Sequence, residues 1–188
     1  MTSWPARRRW HAWTLASVVA VSLVAAPVSA GQVTLELVES ACVVNPAHPE
    51  VSRLLARFEL PPALLGSSID YAELRAAVGA ASDREEFTVE AFPVTREWSP
   101  AAVSWDVGWE TGADSWDGEL GTFCDVVRSG PGTWTVRMDV TAIVQDWVLP
   151  GRQSDGLVLV PSSARQGALA HLAGQPVLCV FYSTRRLR

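Results

Sequence analysis

The sequence predicts an all-β protein, a jelly-roll β-sandwich of about eight strands with one short helix. Three observations carry this. Beyond Gly31 the dominant hydrophobic period is two, the period of a strand with one covered face. Two runs, 157–160 and 177–182, are continuously apolar and β-rich, as strands covered on both faces are. Turn residues, proline and glycine above all, separate the runs. A closed barrel is the alternative arrangement of the same strands.

The first thirty of the 188 residues stand apart from that pattern. Arg7, Arg8 and Arg9 precede an apolar run over 15–26, and Val28-Ser29-Ala30 reads as a small-residue cleavage site, the layout of a secretory signal peptide over 1–30. The run falls short of the ~20 residues a membrane-spanning helix needs. Residues 31–188 then form a single domain, long enough to bury a substantial core. Its first strand covers 33–38. In 52–60, Leu54, Ala56, Phe58 and Leu60 share one face and Arg53, Arg57 and Glu59 the other, until Pro61 and Pro62 stop the run. Ala72, Leu74, Ala76 and Val78 line one face of a strand over 69–78, opposite Glu73 and Arg75. Phe87, Val89 and Ala91 alternate with Thr88 and Glu90 before Pro93, and Trp134, Val136 and Met138 alternate with Thr135 and Arg137. The two continuous runs and a short strand over 168–172 complete the set.

One segment changes period. Val140, Ile143, Val144 and Trp147 recur at helical spacing, with Asp139 as N-cap and Pro150-Gly151 as the stop, which predicts a short helix plugging one end of the sandwich. The stretch 106–132 reads as the longest irregular one, with six glycines, two tryptophans and six acids.

Charge and cysteine content bound the function. The net charge is −5; all 20 acids lie beyond Ala30 and three arginines precede it, so signal cleavage leaves a more acidic chain. That balance disfavours nucleic acid, and no lysine is present. No later apolar run could span a bilayer, so the product is expected to be exported, without membrane insertion. Export makes one disulfide plausible among Cys42, Cys124 and Cys179. Cys42 with Cys179 is the preferred pair, because they sit in the first and last apolar segments; three unpaired, buried thiols are the alternative. No C-x-x-C pair occurs and His48 and His171 stand alone, so no metal or cofactor is assigned.

Among the tryptophans, Trp98, Trp105, Trp134 and Trp147 read as core anchors. Trp109 and Trp116 differ, lying in the glycine-rich stretch among polar residues, where exposed indoles could stack on a sugar ring while Asp114 and Asp117 take its hydroxyls. The competing reading folds that loop back with its indoles as its own small core. Asp114, Asp117 and Glu119 could also offer oxygens to Ca²⁺, at a spacing unlike an EF-hand; solvated acids are the commoner case. No catalytic residue is assigned: no G-x-S-x-G elbow is present, and His171 between Leu169 and Leu172 reads as a core or edge histidine. Arg185, Arg186 and Arg188 read as a solvated tail.

Four ordered elements resemble one family. Trp98-Ser99-Pro100-Ala101-Ala102-Val103-Ser104-Trp105 is similar to the W-x-E-x-x-V-T-W element of DNRLRE-domain proteins (carbohydrate-binding module family 96), with Ser104 for the usual threonine and no glutamate between the tryptophans. Arg57-Phe58-Glu59-Leu60 resembles that family's R-F-D-L strand and Ile69-Asp70-Tyr71-Ala72-Glu73-Leu74 its I-x-x-A-x-L strand. Asp139-Val140-Thr141 through Trp147, then Gly156-Leu157-Val158-Leu159, resembles its D-V-T-x-x-V-x-x-W…G-L-x-L close. The family's aspartate-rich first strand and N-Y-G turn have no counterpart. The resemblance implies a jelly-roll module in exported bacterial proteins, often non-catalytic and attached to enzymes or surface proteins. The family's alginate binding is not carried over, since this domain is acidic and lacks lysine. The expected function is therefore an exported non-catalytic module whose partner is a polysaccharide or cell-envelope glycan. The alternative is a structural or interaction component of the cell surface or extracellular matrix, with a surface protein as partner.

Overall fold

The computed structural model describes residues 28–80, 86–162 and 169–185. Most of the expected signal peptide, and Arg186 and Arg188 of the tail, lie outside these residues. Residues 28–30, the expected cleavage site, stand at the start of the first strand.

Among the described residues nine strands and two short α-helices follow in order: β1 (Val28–Val44), β2 (Ser52–Phe58), β3 (Ser68–Ala80), β4 (Glu86–Pro93), α1 (Val107–Thr111), β5 (Thr122–Gly130), β6 (Thr133–Asp139), α2 (Thr141–Trp147), β7 (Leu157–Pro161), β8 (Leu169–Leu172) and β9 (Val177–Arg185). All pairings are antiparallel. Hydrogen-bonded neighbours run β1-β2-β7-β4-β5-β6-β3-β9 and return to β1, so eight strands close into a barrel-like sheet. β8 and β9 succeed one another along the same edge of the long β3, with Leu172 opposite Val78 and Val177 opposite Arg75. Among the described residues no helix is long and apolar enough to cross a membrane.

The alternation read from sequence explains the interior. Leu54, Ala56 and Phe58 of β2, Ala72, Leu74, Ala76 and Val78 of β3, and Val89 and Ala91 of β4 all point into one core. Trp134 meets Phe87 there edge-on, with ring centroids 4.9 Å apart. Ile143, Val144 and Trp147 of α2 plug one end of the barrel, as the helical spacing predicts. Asp139 accepts from the Thr141 N–H at 2.9 Å, close to its expected capping role, although the helix proper starts after Val140.

The strand β7 is buried on both faces. Leu157 and Leu159 enter the main core, whereas Val158 and Val160 join a second, smaller core outside the barrel. The matching expectation for 177–182 fails on one side: Leu178 and Val180 are buried but Phe181 stands open on the outer face.

Two further expectations are corrected. The stretch 106–132 is not one long irregular loop, because α1 and β5 occupy much of it. The Cys42–Cys179 disulfide does not form, and all three cysteines are free. Cys179 pairs with Thr34, eight residues before Cys42 on β1, a separation of roughly 25 Å at ~3.3 Å per residue, against the ~7 Å limit between bridged Cα atoms. The irregularity between Leu37 and Glu39 also turns the later half of β1 over, so Cys42 faces the core while Cys179 faces outward. Burial pushes the Cys42 thiol up, and its Sγ donates to the Leu169 carbonyl at 3.1 Å.

Candidate functional site

The β4–β5 connection crosses the outer face of β2 and β7 and covers their outward apolar side chains. Asp106 caps α1, accepting from the Trp109 N–H at 3.2 Å, and Gly112 ends the helix at φ 85°. Arg96 holds Asp106 with two bonds, at 2.7 and 3.1 Å. The hydrogen bond from Arg96 therefore holds the Asp106 carboxyl below its usual range, against the opposing effect of burial. This geometry drives Trp109 into the second core with Val43, Leu55, Val94, Trp98, Val158 and Val160.

The expected division of the tryptophans fails at Trp109 and Trp105, and the competing reading, a loop folded back with its indoles as a small core, describes the geometry. Trp109, expected as an exposed platform, is fully buried and presents no face to a ligand. Trp116 stacks on Trp109 and Phe92, with centroids 6.2 and 6.0 Å apart, so its ring serves the same small core. Asp114 and Asp117 are exposed turn residues: Asp114 adopts φ 59°, and Asp117 accepts from the Glu119 N–H at 2.9 Å. Among the described residues no group of three or more His, Cys, Asp or Glu is placed to hold a metal ion. Trp105, expected in the core, is only half-buried. Trp98, Trp134 and Trp147 are buried as expected.

Three arginines fasten this covering segment through indole faces: Arg57 over Trp98 at 4.7 Å, Arg53 over Trp105 and Arg96 over Trp109, each at 5.3 Å. Arg57 also donates to Glu39 and to the Trp98 carbonyl, both at 2.7 Å.

The open aromatic surface lies elsewhere, on the outer face of β9, β3 and β6. The β3–β9 pairing slips by one residue between Ile69 and Tyr71. The slip points Ile69 inward and Tyr71 outward, directly opposite Phe181. Tyr71 and Phe181 are 39% and 36% exposed, with centroids 6.2 Å apart and planes 36° from parallel. One residue pair further along the same face, Glu73 accepts from Arg137 at 3.0 and 3.1 Å and from Arg75. Its side chain is 7% exposed, whereas both guanidiniums reach solvent. They border a shallow groove of about 430 Å³, lined also by Thr135, Gln175 and Val177.

Burial acts to raise the Glu73 carboxyl, but the hydrogen bonds from Arg75 and Arg137 together outweigh it and hold the group below its usual range. A carboxyl depressed in the folded state adds stability that is complete above the ordinary carboxylate range and is lost as pH falls through the depressed value. Glu73→Gln is therefore expected to flatten the acid limb of Tm against pH and, above neutrality, to lower Tm without changing the slope of that limb. The exposed guanidiniums keep the effect modest. Identical acid slopes in both proteins would place the acid sensitivity at other groups.

Chemically, this face offers two ring faces, a fixed acceptor and two forked donors. That set suits a polyhydroxylated ring held by stacking and hydrogen bonds. The sequence pointed to Glu73 and Arg75 only as the polar side of a strand. Phe181 lay inside a run read as covered on both faces, whereas the alternation of 69–78 already puts Tyr71 on the polar side with Glu73 and Arg75; the one-residue slip that turns Ile69 inward leaves no signal in the sequence. No protein-family model matches the chain, and no curated protein matches it.

Proposed function

We propose that this chain is an exported, non-catalytic module of DNRLRE-like jelly-roll architecture that binds a polysaccharide or cell-envelope glycan through Tyr71 and Phe181. The observation that carries the reading is that aromatic pair, standing open beside the Glu73–Arg75–Arg137 cluster. Solvent-exposed rings next to directional polar groups are what a sugar ring requires, an apolar face to stack on and partners for its hydroxyls. The finer fold is supported by strand order: counting β8 and β9 as one interrupted strand, the circuit β1-β2-β7-β4-β5-β6-β3-β9 is that of two Greek keys rolled together. A second reading, a protein-binding component of the cell surface, is favoured by Phe123 and Val127, apolar side chains open on the outer side of β5.

The test is a glycan array followed by titration of the best ligand. Tyr71→Ala and Phe181→Ala are each expected to weaken binding at least tenfold while costing no more than about 1 kcal/mol of stability, the worth of a cross-strand aromatic pair. A ligand bound equally well by both variants would remove this face from the reading. A flat array, with Phe123→Asp disrupting a complex pulled down from the cell envelope, would favour the protein partner.

A further inference from the structure

The first half of β1 is paired on one edge only. Residues 28–36 lie against β9, and β2 takes the opposite edge only from Leu37 onward. Among the described residues no strand pairs with that opposite edge of 28–36. The cause is in the neighbouring strand: β2 ends at Phe58, and Pro61 and Pro62, which lack an N–H to donate, follow it. A groove of about 550 Å³ lies along the open edge, bounded by 33–38 of β1 and by Glu59, Pro61 and Pro62.

The two sides of the strand differ. Leu35 is buried and Val33 and Leu37 pack against the main core, whereas Gln32, Thr34 and Glu36 are exposed. The groove itself is negative. Glu36 and Glu59 line it, no basic side chain does, and among the described residues neither carboxylate is in an ion pair. The guanidiniums that share the adjoining depression with Glu59 are already engaged, Arg57 by Glu39 and Arg152 by Asp146.

We infer that the open edge of β1 binds an extended segment of a partner protein in which apolar residues alternate with basic ones. A row of unpaired main-chain N–H and C=O groups is matched by another extended main chain, which adds to the sheet as a further strand. The alternation follows from β1: inward side chains of the added strand meet Val33, Leu35 and Leu37, and outward ones stand beside Glu36. From Gly31, where the expected cleavage leaves the chain, to Glu36 the edge runs ~20 Å at ~3.3 Å per residue, room for about six residues of the partner. A second copy is a poor occupant. Its β1 carries Glu36 and Glu39 and no basic residue, so two such edges would bring like charges together with no cation between them.

The experiment titrates the full chain calorimetrically with three short capped peptides. One alternates valine with lysine, one alternates valine with glutamate, and the third is the lysine peptide methylated at every main-chain nitrogen. The lysine peptide is expected to bind one per chain, at least tenfold more tightly than the glutamate peptide, and the methylated one not at all. Glu36→Lys should reverse the preference and Glu59→Gln should weaken the lysine peptide several-fold, both with Tm close to the parent because both side chains are exposed. Tyr71→Ala should leave binding unchanged, so failure here is distinguishable from failure of the glycan reading. Absent binding of the lysine peptide would overturn the assignment, as would equal binding of all three peptides or a preference that survives Glu36→Lys. A parent dimer that Glu36→Lys converts to monomer would also overturn it, by showing that a second copy takes the edge.

Discussion

Trp109→Ala is expected to lower the unfolding free energy by about 3–5 kcal/mol, enough to abolish the folded state in a chain of ordinary marginal stability. Trp105→Ala is expected to cost about 1 kcal/mol, in the range of ordinary point substitutions. Both sit on the same covering segment four residues apart, so the contrast isolates burial. Trp109 is fully enclosed and stacks on Trp116, whereas Trp105 is half-buried under a single arginine. Removing the first leaves a cavity between sheet and segment that rigid strands on one side cannot fill. Removing the second exposes the Arg53 guanidinium, which already reaches the Glu110 carbonyl at 3.2 Å. The Trp109 Nε1–H has no acceptor, so Trp109→Phe should cost clearly less than the alanine change. Denaturant titrations of the three variants measure all of this. Equal losses for Trp105→Ala and Trp109→Ala would show that the segment contributes no core of its own.

The second large effect is expected at Gly156, which enters β7 at φ 97°. A Cβ there would overlap the Ala56 carbonyl oxygen and press on the Arg57 Cα, backbone atoms of the paired strand that cannot swing aside. The left-handed conformation alone costs about 1–3 kcal/mol for a residue with a side chain, and the overlap adds to it. Gly156→Ala is therefore expected to destabilise by about 3 kcal/mol or more, with the β2–β7 contact opening first in hydrogen exchange. Gly151 supplies the control: its φ is 79°, but nothing lies within 4 Å of its Cβ position. Gly151→Ala should show the conformational cost alone, about 1 kcal/mol. If the two alanine variants were equally stable, the close approach of the β7 entry to β2 would not exist in solution.

These effects bear on how far the sequence could be read. β2, β3, β4 and β6 are legible because each alternates, β7 because it is continuously apolar, and α2 because its period changes where the stop signals occur. β5 is not. Only Val126 of its residues is fully buried, and Phe123 and Val127 face solvent, so its apolar residues give no clean period. α1 is too short to show one, although Asp106 before it and Gly112 after it are proper capping residues. The two-sided burial of β7 did contain a clue to the covering segment: Val158 and Val160 need something to lie on them.

From the one-dimensional pattern alone came the all-β class, the interior face of most strands, the plugging helix and three of the four tryptophan anchors. These are local consequences of period and turn chemistry, which neighbours in sequence suffice to specify. The closure of the sheet, the burial of Trp109 in place of Trp105, the separation of Cys42 from Cys179 and the exposure of the Tyr71–Phe181 pair were decided by the tertiary structure. Apart from Trp109, whose place is set by the Asp106 cap and the Arg96 bonds, each depends on register between distant strands, and a one-residue slip in register turns a side chain from core to solvent. No local propensity encodes such a slip, because its energy comes from surfaces that meet only when the barrel closes.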